Sequence, residues 1–109
     1  MSRCFFTLSL AAFILSLFVV TCWAHKVQVF AYADQGRIYA EAYFADGSPV
    51  KQGMVTIYDG EGKEIGRCET NSEGLCDVAL PGNVNMVKVV IDAGMGHRGE
   101  YVLKGDELK

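Results

Sequence analysis

Along residues 26–109 apolar side chains recur at every second position in short runs, and each run ends at Gly, Asn, Asp or Pro. Such alternation puts one side of a run against a core and the other in water, as a half-buried β-strand requires. Arg37 to Phe44 is the clearest case: Ile38, Ala40, Ala42 and Phe44 share one face, while Arg37, Tyr39, Glu41 and Tyr43 share the other. Lys26 to Ala33 precedes it through the tight hairpin connection Asp34-Gln35-Gly36. Turn chemistry returns at Asp46-Gly47-Ser48-Pro49, after which Met54 to Tyr58 and Lys63 to Glu69 form a candidate hairpin across Asp59-Gly60-Glu61-Gly62. Leu75 to Leu80 follows the Asn71 to Gly74 turn, and Pro81-Gly82-Asn83 closes that unit. In Asn85 to Asp92, Val87, Val89 and Ile91 alternate with Met86, Lys88 and Val90, so this run reads as a nearly buried central strand. After Ala93-Gly94-Met95-Gly96-His97 the chain resumes with Arg98 to Leu103, and Lys104 to Lys109 reads as a polar tail. Seven strands separated by turns about every 8–12 residues predict one small all-β domain, a sandwich or barrel, over 25–103. Nothing in this region has a helical period, and no second domain or internal repeat is present.

The first 24 residues break the pattern and read as a signal peptide. Met1-Ser2-Arg3-Cys4 carries one positive charge, Phe5 to Val20 is apolar apart from Thr7, Ser9 and Ser16, and Cys22 and Ala24 fill the small-residue positions before a cleavage site. Cleavage after Ala24 exports the domain with His25 as its first residue. The alternative is an N-terminal anchor, because Phe5 to Ala24 approaches the roughly 20 residues that span a bilayer. A lipoprotein is a weaker third reading, since Thr21 rather than Gly or Ala precedes Cys22.

Export changes what the charges and cysteines mean. Without Arg3, nine Lys and Arg face thirteen Asp and Glu, a net charge of −4. So acidic a domain, with no basic run, offers nucleic acid no grip. Cys4 and Cys22 leave with the signal, whereas Cys68 and Cys76 remain as a pair in an oxidising compartment. Folding about Ser72 brings the two opposite each other, which predicts a disulfide; a metal-binding thiolate pair would call for a C-x-x-C type spacing. No G-x-S-x-G, H-E-x-x-H or phosphate loop occurs, and the mature length leaves little room for a multi-step active site, so no enzymatic activity is expected.

Candidate chemistry centres on two histidines. A free N-terminal His25 would offer its α-amine and imidazole Nδ1 as a six-membered chelate for Ni(II), Co(II) or Cu(II), with no folding needed to bring the two nitrogens together. Both groups titrate near neutrality, at about 7.7–8.0 and about 6.5, so metal competes readily with protons there. The plain alternative is a terminal residue that frays into solvent. His97 lies in Gly94-Met95-Gly96-His97-Arg98-Gly99, whose glycines allow positive φ and close backbone approach. Met95 adds a soft thioether, although methionine more often fills packing gaps. The 72 positions between His25 and His97 leave their meeting to the topology. Tyr32, Tyr39, Tyr43, Tyr58 and Tyr101 could face a sugar or a partner, but tyrosine is common in strands for packing reasons alone. Glu61 and Glu64 fall around a turn, where solvent contact is the expected role.

Two end motifs, Ala24-His25-Lys26-Val27-Gln28-Val29-Phe30-Ala31-Tyr32 and Ala93-Gly94-Met95-Gly96-His97-Arg98-Gly99-Glu100-Tyr101, resemble the periplasmic accessory component, of the NikL or CbiL type, of energy-coupling-factor nickel and cobalt transporters. Between them, Gly47-Ser48-Pro49-Val50, Val55-Thr56-Ile57-Tyr58-Asp59 and Thr70-Asn71-Ser72-Glu73-Gly74 look like a carboxypeptidase-regulatory-like β-sandwich. The resemblance covers nearly the whole mature chain; its end motifs are specific and its middle is generic. It implies an immunoglobulin-like or prealbumin-like seven-stranded sandwich. It also implies a non-enzymatic role in delivering Ni(II), or secondarily Co(II), to a membrane-embedded substrate-binding subunit powered by cytoplasmic ATPases. Carried over by position, His25 and His97 are the metal residues, with Met95 and Arg98 beside them. Relatives often continue into a C-terminal membrane helix; in its place, a retained N-terminal helix or a separate membrane protein would supply attachment here.

Two other readings use the same residues. A periplasmic copper-binding sandwich would employ the same chelate, and Cu(II) outbinds Ni(II) at most nitrogen sites. A metal-free structural or interaction sandwich would use the tyrosines, with both histidines dispensable.

Overall fold

Strands form where the alternation predicts them. A computed structural model describes residues 26–109, so the signal-like segment and His25 lie outside the described residues. The strands are β1 (Val27–Asp34), β2 (Arg37–Phe44), β3 (Met54–Asp59), β4 (Glu64–Glu69), β5 (Leu75–Ala79), β6 (Met86–Asp92) and β7 (Arg98–Lys104). All pairings are antiparallel, with order β1-β2-β5 in one sheet and β4-β3-β6-β7 in the other. The two sheets pack as a sandwich, which decides between the two architectures the spacing allowed.

The inward positions of each strand supply the core. The three-stranded sheet contributes Val27, Val29, Ala31, Ile38, Ala40 and Ala42, and the four-stranded sheet contributes Val55, Ile57, Val87, Val89, Ile91 and Leu103. Alanines on one side against Val and Ile on the other let the layers interdigitate, and each fully buried Val or Ile contributes about 1.5–3 kcal/mol. As expected of a central strand, β6 is covered on both faces: Val90, opposite Thr56, is buried on the outer side of its sheet. Gln35 and Gly36 both take positive φ in the two-residue loop between paired Asp34 and Arg37, the turn that matches strand twist.

Cys68 and Cys76 are bonded, with Cα atoms 5.9 Å apart. Their setting differs from a simple hairpin. The Asn71–Gly74 turn is present, its Asn71 carbonyl accepting from Gly74 N–H. Beyond it, however, the arms diverge: β4 pairs with β3 and β5 pairs with β2, so the disulfide joins the margins of opposite sheets. Gly66 assists the approach, because a Cβ there would meet Val78 Cγ2 at 2.9 Å.

The crossover from β2 to β3 hangs on Thr70, which is 2% exposed. Its hydroxyl donates to the Val50 carbonyl at 2.6 Å and accepts from the Gly53 N–H at 2.8 Å. The polar tail is also more ordered than its composition predicts. Lys104 ends β7, Gly105–Leu108 form one turn of 3₁₀ helix, and Leu108 packs against the core. Asn85 O accepts from Gly105 N–H, and Glu107 Oε1 accepts from Lys104 N–H. No helix among the described residues is long and apolar enough to cross a membrane.

Candidate functional site

The β6–β7 connection is built by consecutive left-handed residues. Gly94, Met95 and Gly96 have φ values of 86°, 55° and 84°. Glycine adopts this region freely, whereas Met95 pays roughly 1–2 kcal/mol for it. Asp92 Oδ1 accepts from Gly94 N–H at 2.9 Å, Gly94 O accepts from His97 N–H at 3.0 Å, and His97 O accepts from Ala93 N–H at 2.9 Å. These bonds hold Met95 at the loop tip with its side chain fully exposed. It fills no gap in the packing, so the ordinary role of a methionine does not apply here.

His97 is half-buried, and its ring meets Phe44 edge-to-face at 5.8 Å between centroids. Phe44 ends β2, where its backbone partner is Val27, the first residue of β1. On the other side, a Cβ at Gly99 would lie 2.7 Å from the Val27 carbonyl oxygen, so only glycine lets β7 come this close. The start of β1, the end of β2 and the His97 loop therefore share one end of the sandwich. Topology thus places Val27, Phe44 and the His97 loop together. His25 itself falls outside the described residues. Among the described residues, no three His, Cys, Asp or Glu side chains form a group able to hold a metal ion. Cys68 and Cys76 are consumed by their bond and offer no thiolate.

A second feature lies on the outer face of the three-stranded sheet. Tyr39 and Tyr43 point outward as the alternation predicts, but Tyr39 also joins a chain of rings across three strands. Tyr32 stacks on Tyr39 at 5.2 Å and 16°, Phe30 follows Tyr32 at 6.4 Å, and Tyr101 meets Phe30 edge-on at 5.2 Å. The alternation of β1 sets Phe30 on the same outward side as Tyr32, which is the signal for it in the sequence. Phe30 and Tyr32 are 48% and 44% exposed. With a ring side chain burying about 200 Å², covering the exposed part of each is worth roughly 2 kcal/mol. Tyr58 lies elsewhere, on the four-stranded sheet, with Lys88 Nζ 5.9 Å from its ring centroid.

Beside Tyr39 the surface dips into a hollow of about 270 Å³, lined by Tyr32, Tyr39, Glu41, Asn71, Leu75 and Asp77 among others. Its polar groups are held in place. Arg37 Nε donates to Asp77 Oδ2 at 2.7 Å, and Tyr43 Oη donates to Glu41 Oε1 at 2.8 Å, a bond that raises the Tyr43 pKa above its ordinary value. Asn71 Oδ1 accepts from the N–H groups of Glu73 and Leu75, which turns the amide NH₂ away from the turn. Comparison with known protein families, with curated proteins and with solved structures finds no match for this chain.

Proposed function

We propose that this domain works outside the cytoplasm as a metal-binding accessory module of a membrane transporter. It takes Ni(II), with Co(II) as the alternative cargo, between the terminal chelate of His25 and the imidazole of His97. The role is binding and hand-over rather than catalysis. One observation carries the reading: Phe44 pairs with Val27 at the start of β1 and also packs against the His97 ring. Only Lys26 separates His25 from Val27, and two peptide units reach at most about 7 Å. A terminus tethered there is short enough to share one ion with the loop. An α-amine and two imidazoles form a nitrogen donor set of intermediate softness, which suits Ni(II) and Co(II). The bonded Cys68–Cys76 pair supports an oxidising compartment, which export would provide.

Calorimetric titration of Ni(II) into protein that begins at His25 tests the reading. N-terminal acetylation, His25→Ala and His97→Ala should each weaken binding by at least about tenfold, because each removes a donor nitrogen. Unchanged titrations for the first two variants would remove the terminal chelate from the mechanism. A native N-terminal mass that starts elsewhere than residue 25 would do the same.

Met95 favours a second reading, in which the cargo is copper. Its thioether stands fully exposed two residues before His97, and sulfur of this kind suits Cu(I), while Cu(II) outbinds Ni(II) at nitrogen sites. Metal content of the protein isolated from its own host distinguishes the two.

A further inference from the structure

We propose that the hollow beside Tyr39, on the outer face of the three-stranded sheet, is a binding site for a neutral pyranose sugar. The Tyr39 face not covered by Tyr32 serves as its stacking wall, and the exposed rings of Tyr32 and Phe30 beyond it meet neighbouring sugar units. The lining defines the ligand class. A pyranose presents a face of C–H groups edged by hydroxyls, so it needs a flat π surface beside planar hydrogen-bonding groups. Tyr32 and Tyr39 supply the surface, whose electron-rich faces attract C–H groups, and Leu75 adds an apolar patch. Around them stand Glu41, Asp77 and Asn71. Asp77 has one oxygen bound by Arg37 and Glu41 has one bound by Tyr43, which leaves the second oxygen of each carboxylate to accept from a sugar hydroxyl. The Asn71 NH₂ is the matching donor, since its carbonyl oxygen is already engaged by backbone N–H groups.

Charge and size narrow the choice. Two carboxylates at the rim repel phosphates, so a nucleotide or nucleic acid that could stack on the same rings is disfavoured. A proline-rich peptide also stacks on aromatic side chains, but it brings no hydroxyls to the carboxylates and amide gathered here. About 270 Å³ lies below the span of a drug-sized pocket and accommodates a single ring, with further units lying along the exposed Tyr32 and Phe30, which Tyr101 buttresses edge-on. No metal takes part, so this site stands or falls apart from the nickel reading.

Saturation-transfer and amide-shift NMR on the full chain, with methyl glycosides of glucose, galactose and mannose and with gluco- and manno-tetrasaccharides, tests the proposal in the presence of a chelator. One glycoside series should shift the amides of Tyr39, Asn71 and Asp77 with a Kd of about a millimolar, and its tetrasaccharide should bind about tenfold more tightly through the added rings. Tyr39→Ala should weaken binding by at least about tenfold while leaving the remaining amide spectrum folded, and Tyr39→Phe should stay within about twofold because the ring is kept. Met95→Ala should bind as the unaltered chain does. Absence of any shift with every neutral glycoside at tens of millimolar, by order of magnitude well above such a Kd, overturns the proposal. So does binding that survives Tyr39→Ala, or shifts at these residues produced only by a proline-rich peptide or by phospholipid vesicles.

Discussion

Replacing Thr70 by Val would keep its shape and remove its hydroxyl from the joint between the sheets. That hydroxyl satisfies two backbone groups at once, the Val50 carbonyl at 2.6 Å and the Gly53 N–H at 2.8 Å, in a site 2% exposed to water. Neither group has solvent to turn to, and a Cβ at Gly53 would lie 2.6 Å from Val50 Cγ1, so the segment has no slack to relax into. Each of the two buried groups left unsatisfied costs about 1–3 kcal/mol, while the methyl that replaces the hydroxyl recovers about 0.8 kcal/mol, for a net loss of about 1–5 kcal/mol. Thr70→Ser makes the complementary change: it keeps both hydrogen bonds and gives up a methyl, at about 1 kcal/mol. Urea unfolding with the disulfide intact measures both, and for a domain of this size each kcal/mol lowers Tm by roughly 4–8 °C. Gly53 should also lose amide-exchange protection selectively in the Val variant. If Thr70→Val proves as stable as Thr70→Ser, the hydroxyl is not what anchors the crossover and the reasoning fails.

Two further outcomes follow from the same geometry. Replacing Cys68 and Cys76 together by Ala should cost about 2–3 kcal/mol, because the bond removes loop entropy from the unfolded chain; a urea midpoint indifferent to reductant would contradict this. Asp46 Oδ1 accepts from the Ser48 hydroxyl and the Ser48 N–H, which hold its carboxyl below the usual aspartate range. The depressed folded value means that its stabilisation is present above the unfolded pKa of about 3.9 and is lost as pH falls through the folded value. Carboxyl ¹³C titration should show the Asp46 midpoint rising in Ser48→Ala, and an unmoved midpoint would show that the hydroxyl is not the cause.

The parts of this fold that were legible in advance depend on local period. Alternation in Arg37–Phe44 and in Met86–Asp92 identifies both the strand and its buried face, because a pleated backbone leaves no other register for those side chains. Pairing is a different matter. The Asn71–Gly74 turn looks the same whether its arms form a hairpin or separate, and the choice rests on β5 matching Arg37–Glu41, more than thirty residues upstream. Cysteine pairing was therefore readable while its inter-sheet setting was not. Thr70 is one threonine among polar neighbours, and nothing in its composition marks a buried anchor. Leu108 reads as part of a polar tail because one apolar residue carries no period, yet it packs against the core. The convergence of His97, Phe44 and Val27 likewise depends on which strands become neighbours, and 72 positions of spacing between the two histidines say nothing about that.

The outer surfaces of the two sheets differ in a way that the core does not demand. On the four-stranded sheet the exposed outward side chains of the edge strands include Arg67, Glu69, Arg98, Glu100 and Lys104, with Val102 among them. The three-stranded sheet instead sets Phe30 and Tyr32 on its edge strand β1, next to outward Tyr39. An aromatic edge strand invites association with other chains, and sequences ordinarily blunt such edges with charge. Core packing cannot account for Phe30 and Tyr32, because Val27, Val29 and Ala31 already fill the inward positions of that strand. Nor does strand propensity, which threonine or valine would satisfy with less exposed aromatic area. Asp34, Arg37, Asp77 and Glu41 surround the rings with charge, which limits the apolar patch while leaving its faces in reach of a hydroxylated ligand. Cross-strand stacking of Tyr32 on Tyr39 and the contact of Phe30 with Tyr101 contribute to the sheet, and the sugar site proposed above would account for the exposed faces and the polar frame around them.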